Sequence, residues 1–203
     1  MKYEAVSLNT KKMLSAALKD AMKRKALSKI TVSEIVRVCG VNRKTFYYHF
    51  QDIYDLLKWT LEQEAVEVVK KFDLLVNADD AISFVIDYVE ENRHILSCAY
   101  DSMGRDELRR FFYADFIEIT LSLVEQAETR TGHRADAKFK RFLAEFYTEA
   151  LAGMLINLFK TDFGYDREEL RENLLLLMKT TIPNALQAGK CGENTGEQAH
   201  PLP

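Results

Sequence analysis

The stretch Arg43-Lys44-Thr45-Phe46-Tyr47-Tyr48-His49-Phe50 decides the fold of the N-terminal part of this 203-residue chain. Its two phenylalanines, Phe46 and Phe50, are spaced i,i+4, which places both rings on one face of a helix and directs them inward. The outer faces then carry two cations, a hydroxyl group, two phenols and an imidazole. Such an array of hydrogen-bond donors suits the phosphate oxygens and base edges of a nucleic acid.

The residues before this stretch predict another short helix and a tight turn. Thr31-Val32-Ser33-Glu34 has the spacing of a capping box, in which the Thr31 hydroxyl accepts from the Glu34 amide and the Glu34 carboxylate reaches back. Gly40 ends this helix because glycine adopts positive φ at low cost, and Asn42 suits the N-cap of the next helix. An apolar stripe at i, i+3, i+4 and i+7 supports the assignment: Val32, Ile35, Val36 and Cys39. Residues 31–50 therefore read as a helix-turn-helix, whose second helix commonly enters the major groove of DNA.

An amphipathic helix is predicted ahead of this motif, over residues 8–26. Its apolar stripe comprises Leu14, Ala17, Leu18, Ala21 and Met22. It ends in Lys23-Arg24-Lys25, and two interpretations of this triplet stay open. The cations complement the negative end of the helix dipole at a solvated helix end, or they also attract a polyanion.

Charge is distributed unevenly along the chain. Residues 1–58 contain 12 Lys and Arg and 5 Asp and Glu, a net charge of +7, whereas the whole chain carries −3. The remaining residues therefore carry −10. A basic N-terminal part on an acidic body predicts nucleic-acid binding confined to one end of the molecule.

Composition and cysteine usage predict a soluble cytoplasmic protein with no membrane partner. Hydrophobic residues make up 47% and charged residues 29% of the chain, and no apolar run reaches about 18 residues. Met1-Lys2-Tyr3-Glu4 lacks the apolar core of a signal peptide. The cysteines Cys39, Cys98 and Cys191 are far apart in sequence, which disfavours disulfides. His49 and the other histidines have no partner at ligand spacing, so we expect no metal and no cofactor.

The rest of the chain predicts an all-α fold. From residue 51 onward there is no sustained period-two pattern, so no sheet is expected. We expect about nine helices in all. After the helix-turn-helix, a long helix is predicted over 53–76 and a break over 77–80. Helices follow over 82–89 and 94–99, then a loop at 101–104, a helix over 108–131, and two last helices over 136–160 and from Asp166 past Ile182.

The last two helices are apolar on more than one face. A helix that is apolar all round is buried all round, and too little chain remains to cover both helices. We therefore expect them to pack against their copies in a second chain. The predicted interface comprises Leu151, Leu155, Leu158, Phe159, Leu174, Leu177 and Met178. Gly153 allows close approach of two backbones there, or is simply a small core residue.

These motifs, in this order, resemble the DNA-binding domain of the TetR family of bacterial transcriptional regulators. The resemblance covers about residues 8–60 and rests on Ile30–Val36, Cys39-Gly40-Val41 and Thr45–Phe50. The sequence of residues 42–52 also resembles that of the branch related to regulators of dihydroxyacetone kinase. The resemblance implies a DNA-binding domain over 1–54, an effector-binding and dimerisation domain over 55–187, and a tail over 188–203 that its polar, Gly-rich composition predicts to be disordered.

The resemblance also implies the residues that contact DNA. Thr45, Tyr48 and His49 would hold phosphates and Tyr47 would lie nearer the base edges. Thr31 and Ser33 would bind phosphate at a helix N-terminus. Arg43 and Lys44 would read guanine or simply attract phosphate. Many relatives carry a lysine at the position of Ile53, where this chain lacks the cation.

The family's body encloses an effector pocket between its middle helices. The candidates are Trp59, Tyr100, Met103, Phe112, Phe116, Phe142 and Phe146. Each of these residues could instead be ordinary core, because aromatic stripes at helical spacing are also what a core requires.

The sequence therefore predicts a homodimeric regulator that binds a palindromic operator in double-stranded DNA and responds to a small-molecule effector. Repression is the family's default, and activation stays open. An alternative is a regulator or adaptor that acts through a partner protein. An enzyme is disfavoured because the carboxylates lie on helix faces without a nucleophile, a Gly-rich loop or a metal cluster.

Overall fold

A computed structural model describes residues 2–74, 76–132, 134–160 and 166–189, with side chains from Ala5 onward. Within these ranges every regular element is a helix, so the all-α prediction is confirmed. Counting the unbroken stretch from α4 to α5 as one helix, the described residues form nine helices longer than one turn. The prediction of a disordered tail concerns residues that, past Gly189, lie outside the described ranges.

The N-terminal head consists of α1 (Lys2–Met22), a 3₁₀ turn (Leu27–Lys29), α2 (Val32–Cys39) and α3 (Arg43–His49). Helix α1 begins and ends earlier than predicted, because the chain turns at the Lys23-Arg24-Lys25 triplet. The head's local predictions otherwise hold. Gly40 ends α2 at φ 65°, and the Asn42 side chain accepts from the Thr45 amide at 2.8 Å as the N-cap of α3.

Thr31 and Glu34 contact each other as the predicted capping box requires. The Thr31 hydroxyl accepts from the Glu34 amide at 3.3 Å, which satisfies one free donor at the start of α2. The Glu34 carboxylate accepts from the Lys25 ammonium at 2.5 Å, and this bond, followed by a weaker contact with the Thr31 backbone amide, lowers the pKa of Glu34. The carboxylate therefore ties α2 to the turn that follows α1.

The connecting helix differs from the prediction. Helix α4 (Ile53–Leu61) gives way to a π-helical turn (Glu62–Val66) and then to the three-residue α5 (Glu67–Val69). The helix therefore ends well before residue 76. Extra residues in a helical turn re-aim the side chains that follow it, and such π turns are frequent at functional sites.

The body continues with α6 (Ala78–Glu91), α7 (Arg93–Met103), α8 (Arg105–Thr131), α9 (Ala137–Lys160) and α10 (Arg167–Ala188). The predicted loop at 101–104 is wrong, because α7 stays helical through Met103. The chain breaks only at Gly104, whose φ of 83° favours glycine. Gly132, at φ 68°, ends α8 in the left-handed conformation, close to the predicted end.

Helices α8 and α9 pack along each other and form the centre of the body. The buried hydroxyls of Thr120 on α8 and Thr148 on α9 lie 2.6 Å apart and hydrogen-bond across this contact. Helix α10 packs against α6 and α8. The apolar core is continuous from head to body, because buried residues of α1 and α3 contact the same cluster as Ile95 and Phe159.

Helix α9 is, by length and composition alone, apolar enough to cross a membrane. Core helices of soluble proteins pass the same test, and one such helix is weak support for a membrane protein. Here α9 packs along α8 inside a helical body, so its apolar composition has a tertiary explanation.

Candidate DNA-binding surface and internal cavity

Helix α3 separates core residues from surface residues within seven positions. Phe46 is fully buried and Phe50, its C-cap, is 3% exposed, as the i,i+4 spacing predicts. Tyr47 and Tyr48 are 50% and 82% exposed, unusual values for large aromatic side chains. Helix α3 therefore exposes two phenols to solvent that do not contribute to the core.

Arg43 joins three of the predicted DNA contacts into one group. Its guanidinium donates to the Ser33 hydroxyl at 3.3 Å and to the Tyr47 phenol oxygen at 3.1 Å. It also lies 5.7 Å from the centroid of the Tyr47 ring. A guanidinium has five N–H donors, so donors remain for a base or a phosphate. The start of α2 and the start of α3 are thereby held at one surface, with Thr31 and Lys44 also exposed beside them.

Thr45 and His49 are less available than the sequence suggests. The Thr45 hydroxyl donates to the Asn42 side chain at 3.2 Å, so it would have to leave the cap to donate to a phosphate. His49 is half-buried, and its ring lies 4.9 Å from the Tyr48 ring. Burial, and then the positive charge of Lys11, lower the pKa of His49. Both effects disfavour the charged imidazolium, so His49 is better suited to donate one N–H than to attract a phosphate by charge.

Ile53 is 6% exposed and belongs to the head's core, so this position supplies no cation at the surface. Sequence reasoning missed Lys11, whose ammonium lies over the rings of Phe50 and Trp59 at 5.7 Å and 5.6 Å from their centroids. No sequence signal marks Lys11, because it is one of several lysines on α1 and the rings come from other elements.

The body contains an apolar cavity of about 130 Å³ between α6, α8, α9 and α10. Its lining consists of aliphatic side chains, methionines and one phenylalanine, Phe116, with Thr120 as the single polar residue among those described. The cavity therefore offers shape and apolar contact and almost no polar recognition.

Only Phe116, of the seven residues predicted to line a pocket, lines this cavity. Phe112 is buried behind it, with the two rings stacked at 5.8 Å. Trp59 packs in the head beside Phe50 at 5.7 Å. Tyr100 lies against Phe159 and under the Lys160 ammonium, and Met103 is partly buried at the end of α7.

The other two predicted pocket residues lie on the outside. Phe142 and Phe146 are 61% and 59% exposed on α9 and do not line this cavity. They are spaced i,i+4 and therefore share one exposed face of α9. Leu176 and Leu177 are likewise exposed on α10, at 59% and 47%. The two helices thus present an apolar outer face.

Most residues of the predicted dimer interface are partly or fully covered within a single chain. Phe159 is 3% exposed and belongs to the core, and Leu177 alone of the set is well exposed. The other five line the cavity: Leu151, Leu155, Leu158, Leu174 and Met178. The reason is that α6 and α8 cover these positions within the same chain, which helix periodicity alone cannot show.

Two family models match this chain. The model of bacterial regulatory proteins of the tetR family matches residues 14–58, which include α2 and α3. The model of the transcriptional regulator C-terminal region matches residues 77–180, about half of the chain and nearly all of the cavity wall.

The chain is similar to the HTH-type dhaKLM operon transcriptional activator DhaS of Lactococcus lactis subsp. lactis, at 30% identity over 87 residues. The match covers 43% of this chain and 46% of that protein, about half of the relative's length. This similarity supports the branch that residues 42–52 indicate.

Solved structures agree on the fold. A dihydroxyacetone kinase operon activator DhaS superposes with a TM-score of 0.67 at 20% identity, covering 90% of this chain and 98% of that one. NalD, the secondary repressor of the MexAB-OprM multidrug efflux pump in Pseudomonas aeruginosa, superposes with a TM-score of 0.54 at 26% identity. The superposition covers 85% of this chain and 95% of that one. The matched proteins are regulators and not enzymes. This chain, with its helix-turn-helix head and its matched C-terminal region, belongs to the TetR family of bacterial transcriptional regulators.

Proposed function

We propose that this protein is a cytoplasmic, homodimeric regulator that binds a palindromic operator through α2 and α3 and changes its DNA affinity when a small molecule occupies the body. The observation that carries the proposal is the exposed array on α3, where two tyrosines and Arg43 stand on a helix whose other face is fully buried. In this proposal residues 1–54 bind DNA, and residues 55–187 bind the effector and a second copy.

The recognition surface has two parts in this proposal. Tyr47 and the Arg43 guanidinium, already joined at 3.1 Å, enter the major groove and meet base edges. Around them, Tyr48, His49, Ser33 and Thr31 donate to phosphates, which fixes register but carries no sequence information. Lys44 adds charge at the exposed start of α3.

The outer face of α9 and α10 is the proposed dimer interface. It consists of Phe142, Phe146, Leu176 and Leu177, all well exposed in one chain. Thr180 and Ala150 continue the same two faces without charge. The occupant is a second copy, because a two-fold dimer presents its two heads to two half-sites, as a palindromic operator requires.

Either sign of regulation can use this geometry. The relative matched in sequence is an activator and NalD is a repressor. Activation therefore stands beside repression, the family's default, as a second candidate. A promoter–reporter fusion in a deletion strain distinguishes them, since loss of a repressor raises reporter output and loss of an activator lowers it.

Fluorescence anisotropy with the chain's own promoter and with random DNA, over a salt series, tests the DNA-binding proposal. We expect the promoter to bind at least about a thousandfold tighter than random DNA. Tyr47→Ala should reduce this preference about tenfold or more, by loss of a base contact. The matched control is Tyr113→Ala on α8, which should leave both affinities unchanged. Equal binding of both DNAs, lost with salt, would leave only non-specific attraction to a basic head.

Sedimentation tests the dimer. Phe146→Glu buries a charge in the proposed interface and should convert a dimer into a folded monomer with much weaker operator binding. Val76→Glu, at a position 59% exposed in one chain, is the control and should remain dimeric. A wild-type protein that is monomeric at micromolar concentration would overturn the homodimer. The exposed face would then favour the alternative of a regulator or adaptor that acts through a partner protein.

A further inference from the structure

We propose that the cavity selects an uncharged, hydrocarbon-like effector of about the size of one aromatic ring. This inference rests on the proposed function, because it names the chemical class of the molecule that the body binds. It concerns the cavity between α6, α8, α9 and α10, and it excludes polyols, carboxylates and amines as occupants of that space.

The first argument is the chemistry of the wall. Each of the four helices contributes aliphatic groups, for example Ile82, Leu123, Leu155 and Leu174. No Asp, Glu, Lys, Arg or His is among the described residues that line the cavity. A charged ligand would lose its hydration there without a partner, which costs far more than apolar contact returns.

The second argument is that the single hydroxyl in the wall is already used. Thr120 lies 2.6 Å from the Thr148 hydroxyl, and Thr148 itself donates to the Ala144 carbonyl at 2.7 Å. The Thr120 proton is shared between Thr148 and the carbonyls of Phe116 and Ile117, each 3.1 Å away. Both protons of the pair are therefore committed, and the described part of the wall offers no free donor to a ligand oxygen.

The third argument is size. The cavity has a volume of about 130 Å³. An engineered apolar cavity of about 150 Å³ in another protein stays dry and binds benzene or xenon. A ring of this size would be stabilised by the removal of its apolar surface from water. A polyol of equal volume would bury several unpaired hydroxyls, which is unfavourable.

Calorimetry and ¹⁹F NMR of the full chain with fluorobenzene test the inference without DNA. We expect saturable binding of fluorobenzene and of toluene. Benzoate, which adds a carboxylate to the same ring, and glycerol should not bind at equal concentration. Binding of benzoate or glycerol at similar affinity would overturn the proposed selectivity.

Two matched variants locate the binding. Ala81 lies in the cavity wall and is 4% exposed, so Ala81→Leu fills the space and should abolish fluorobenzene binding. Ala114 is exposed on α8, and Ala114→Leu should bind as the wild type does. If circular dichroism shows that Ala81→Leu does not fold, Val85→Phe on the same wall replaces it. Retained binding in the filled variant would overturn the assignment to this cavity.

The DNA assay then separates this inference from the proposed function. A wild-type protein that binds fluorobenzene, and whose operator affinity changes with it while that of Ala81→Leu does not, supports both. Binding of the ring with no change in operator affinity supports the ligand class and overturns the cavity's regulatory role. Failure of the ring to bind overturns the ligand class and leaves operator recognition, measured separately, unaffected.

A different observation carries a second inference, in the head. We infer that Lys11 contacts a DNA phosphate and replaces the cation that Ile53 lacks. Its ammonium is held 5.7 Å and 5.6 Å from the ring centroids of Phe50 and Trp59, at the C-terminal end of α3 beside His49. Among ion pairs between described residues, none involves Lys11.

The two rings restrain the lysine before DNA arrives. An ammonium over aromatic faces is attracted by the ring electrons, and this restraint reduces the entropy lost on binding a phosphate. Burial, and then the Lys11 charge, lower the pKa of His49, which is consistent with this location. A polyanion that reaches Tyr48 and His49 therefore meets the Lys11 charge.

The salt dependence of operator binding tests Lys11. Lys11→Met keeps the stem and removes the charge, so the slope of log K against log salt should fall by about one. Promoter preference over random DNA should persist, and Lys11→Arg should restore the slope. Lys12→Met, beside it on another face of α1, should leave the slope unchanged. An unchanged slope in Lys11→Met, with an unchanged thermal midpoint, would overturn the inference.

Discussion

The recognition helix and the cavity are built in opposite ways. Helix α3 takes its exposed phenols and its buried phenylalanines from seven consecutive residues, so its surface is a local property. The cavity takes its wall from four helices separated by up to about a hundred residues. A local motif can be read directly from the sequence, whereas a cavity exists only where distant helices fail to fill the space between them.

Phe46 and Tyr48, two positions apart on α3, sharpen this comparison most strongly. Phe46→Ala should destabilise the protein by about 3–5 kcal/mol, because it removes a fully buried ring and leaves a cavity. Urea denaturation followed by circular dichroism measures the loss. Tyr48→Ala, at a residue 82% exposed, should change stability by less than about 0.5 kcal/mol. Equal stability losses would mean that α3 does not separate its two faces.

In the body, Asp115 on α8 allows a test of how stability depends on pH. Burial, followed by the charge of Glu62, raises the pKa of Asp115 from 3.8 to about 6, and one carboxylate oxygen has no hydrogen-bond partner. Glu118 and Glu67 add to the repulsion, and Lys70 partly offsets it. Because the folded state holds this proton more tightly than the unfolded state, the contribution of Asp115 to stability falls as pH rises from about 4 to about 6.

Asp115→Asn should therefore stabilise the protein at pH 7.5 by about 1–2 kcal/mol, discounted for solvent screening. The gain should shrink below pH 4, where the native carboxyl is protonated in both states. Thermal denaturation at pH 4 and pH 7.5 measures it. Glu125→Gln, on the same helix and exposed, is the control and should show no such difference. A stability gain of the same size at both pH values would contradict the assigned pKa.

A substitution of Asn42 tests the stability of the head separately from that of the body. Its side chain accepts from the Thr45 amide and hydroxyl at 2.8 Å and 3.2 Å, which caps α3. Asn42→Ala should cost about 1 kcal/mol, and hydrogen exchange should show faster opening of α3 than of α8. Asn42→Asp, which keeps the acceptor, should retain most of the stability. Equal acceleration in both helices would show that head and body open as a single unit.

The smallest expected loss of stability concerns a contact between the head and the body. The Glu64 carboxylate, in the π turn, accepts from Lys19 on α1 at 2.7 Å and from the Tyr88 phenol on α6 at 3.2 Å. Tyr88→Phe should cost no more than about 1 kcal/mol of stability. In a double-mutant cycle with Glu64→Ala the two losses should not add, because both changes remove the bond between Tyr88 and Glu64. Additive losses would mean that Tyr88 and Glu64 are energetically independent.

Sequence reasoning succeeded where one short segment determines its own structure. The Thr31 and Asn42 caps, the positive φ of Gly40 and the burial of Phe46 all follow from local spacing. It failed where an apolar residue on a helix could either line a cavity or lie exposed at the surface. Phe142 and Leu155 are both apolar residues on α9, yet the first is exposed and the second lines the cavity.

The sequence by itself therefore determined the helix-turn-helix, the all-α class and the exposure of Tyr47 and Tyr48 on α3, because capping, glycine conformation and helical period act over a few residues. The tertiary structure alone decided which side chains of α9 and α10 line the cavity and which stay exposed at the surface. It also placed Lys11 over two rings from other elements. These outcomes depend on how α6 and α8 pack over the last two helices, and no local pattern encodes the partner that covers a given face.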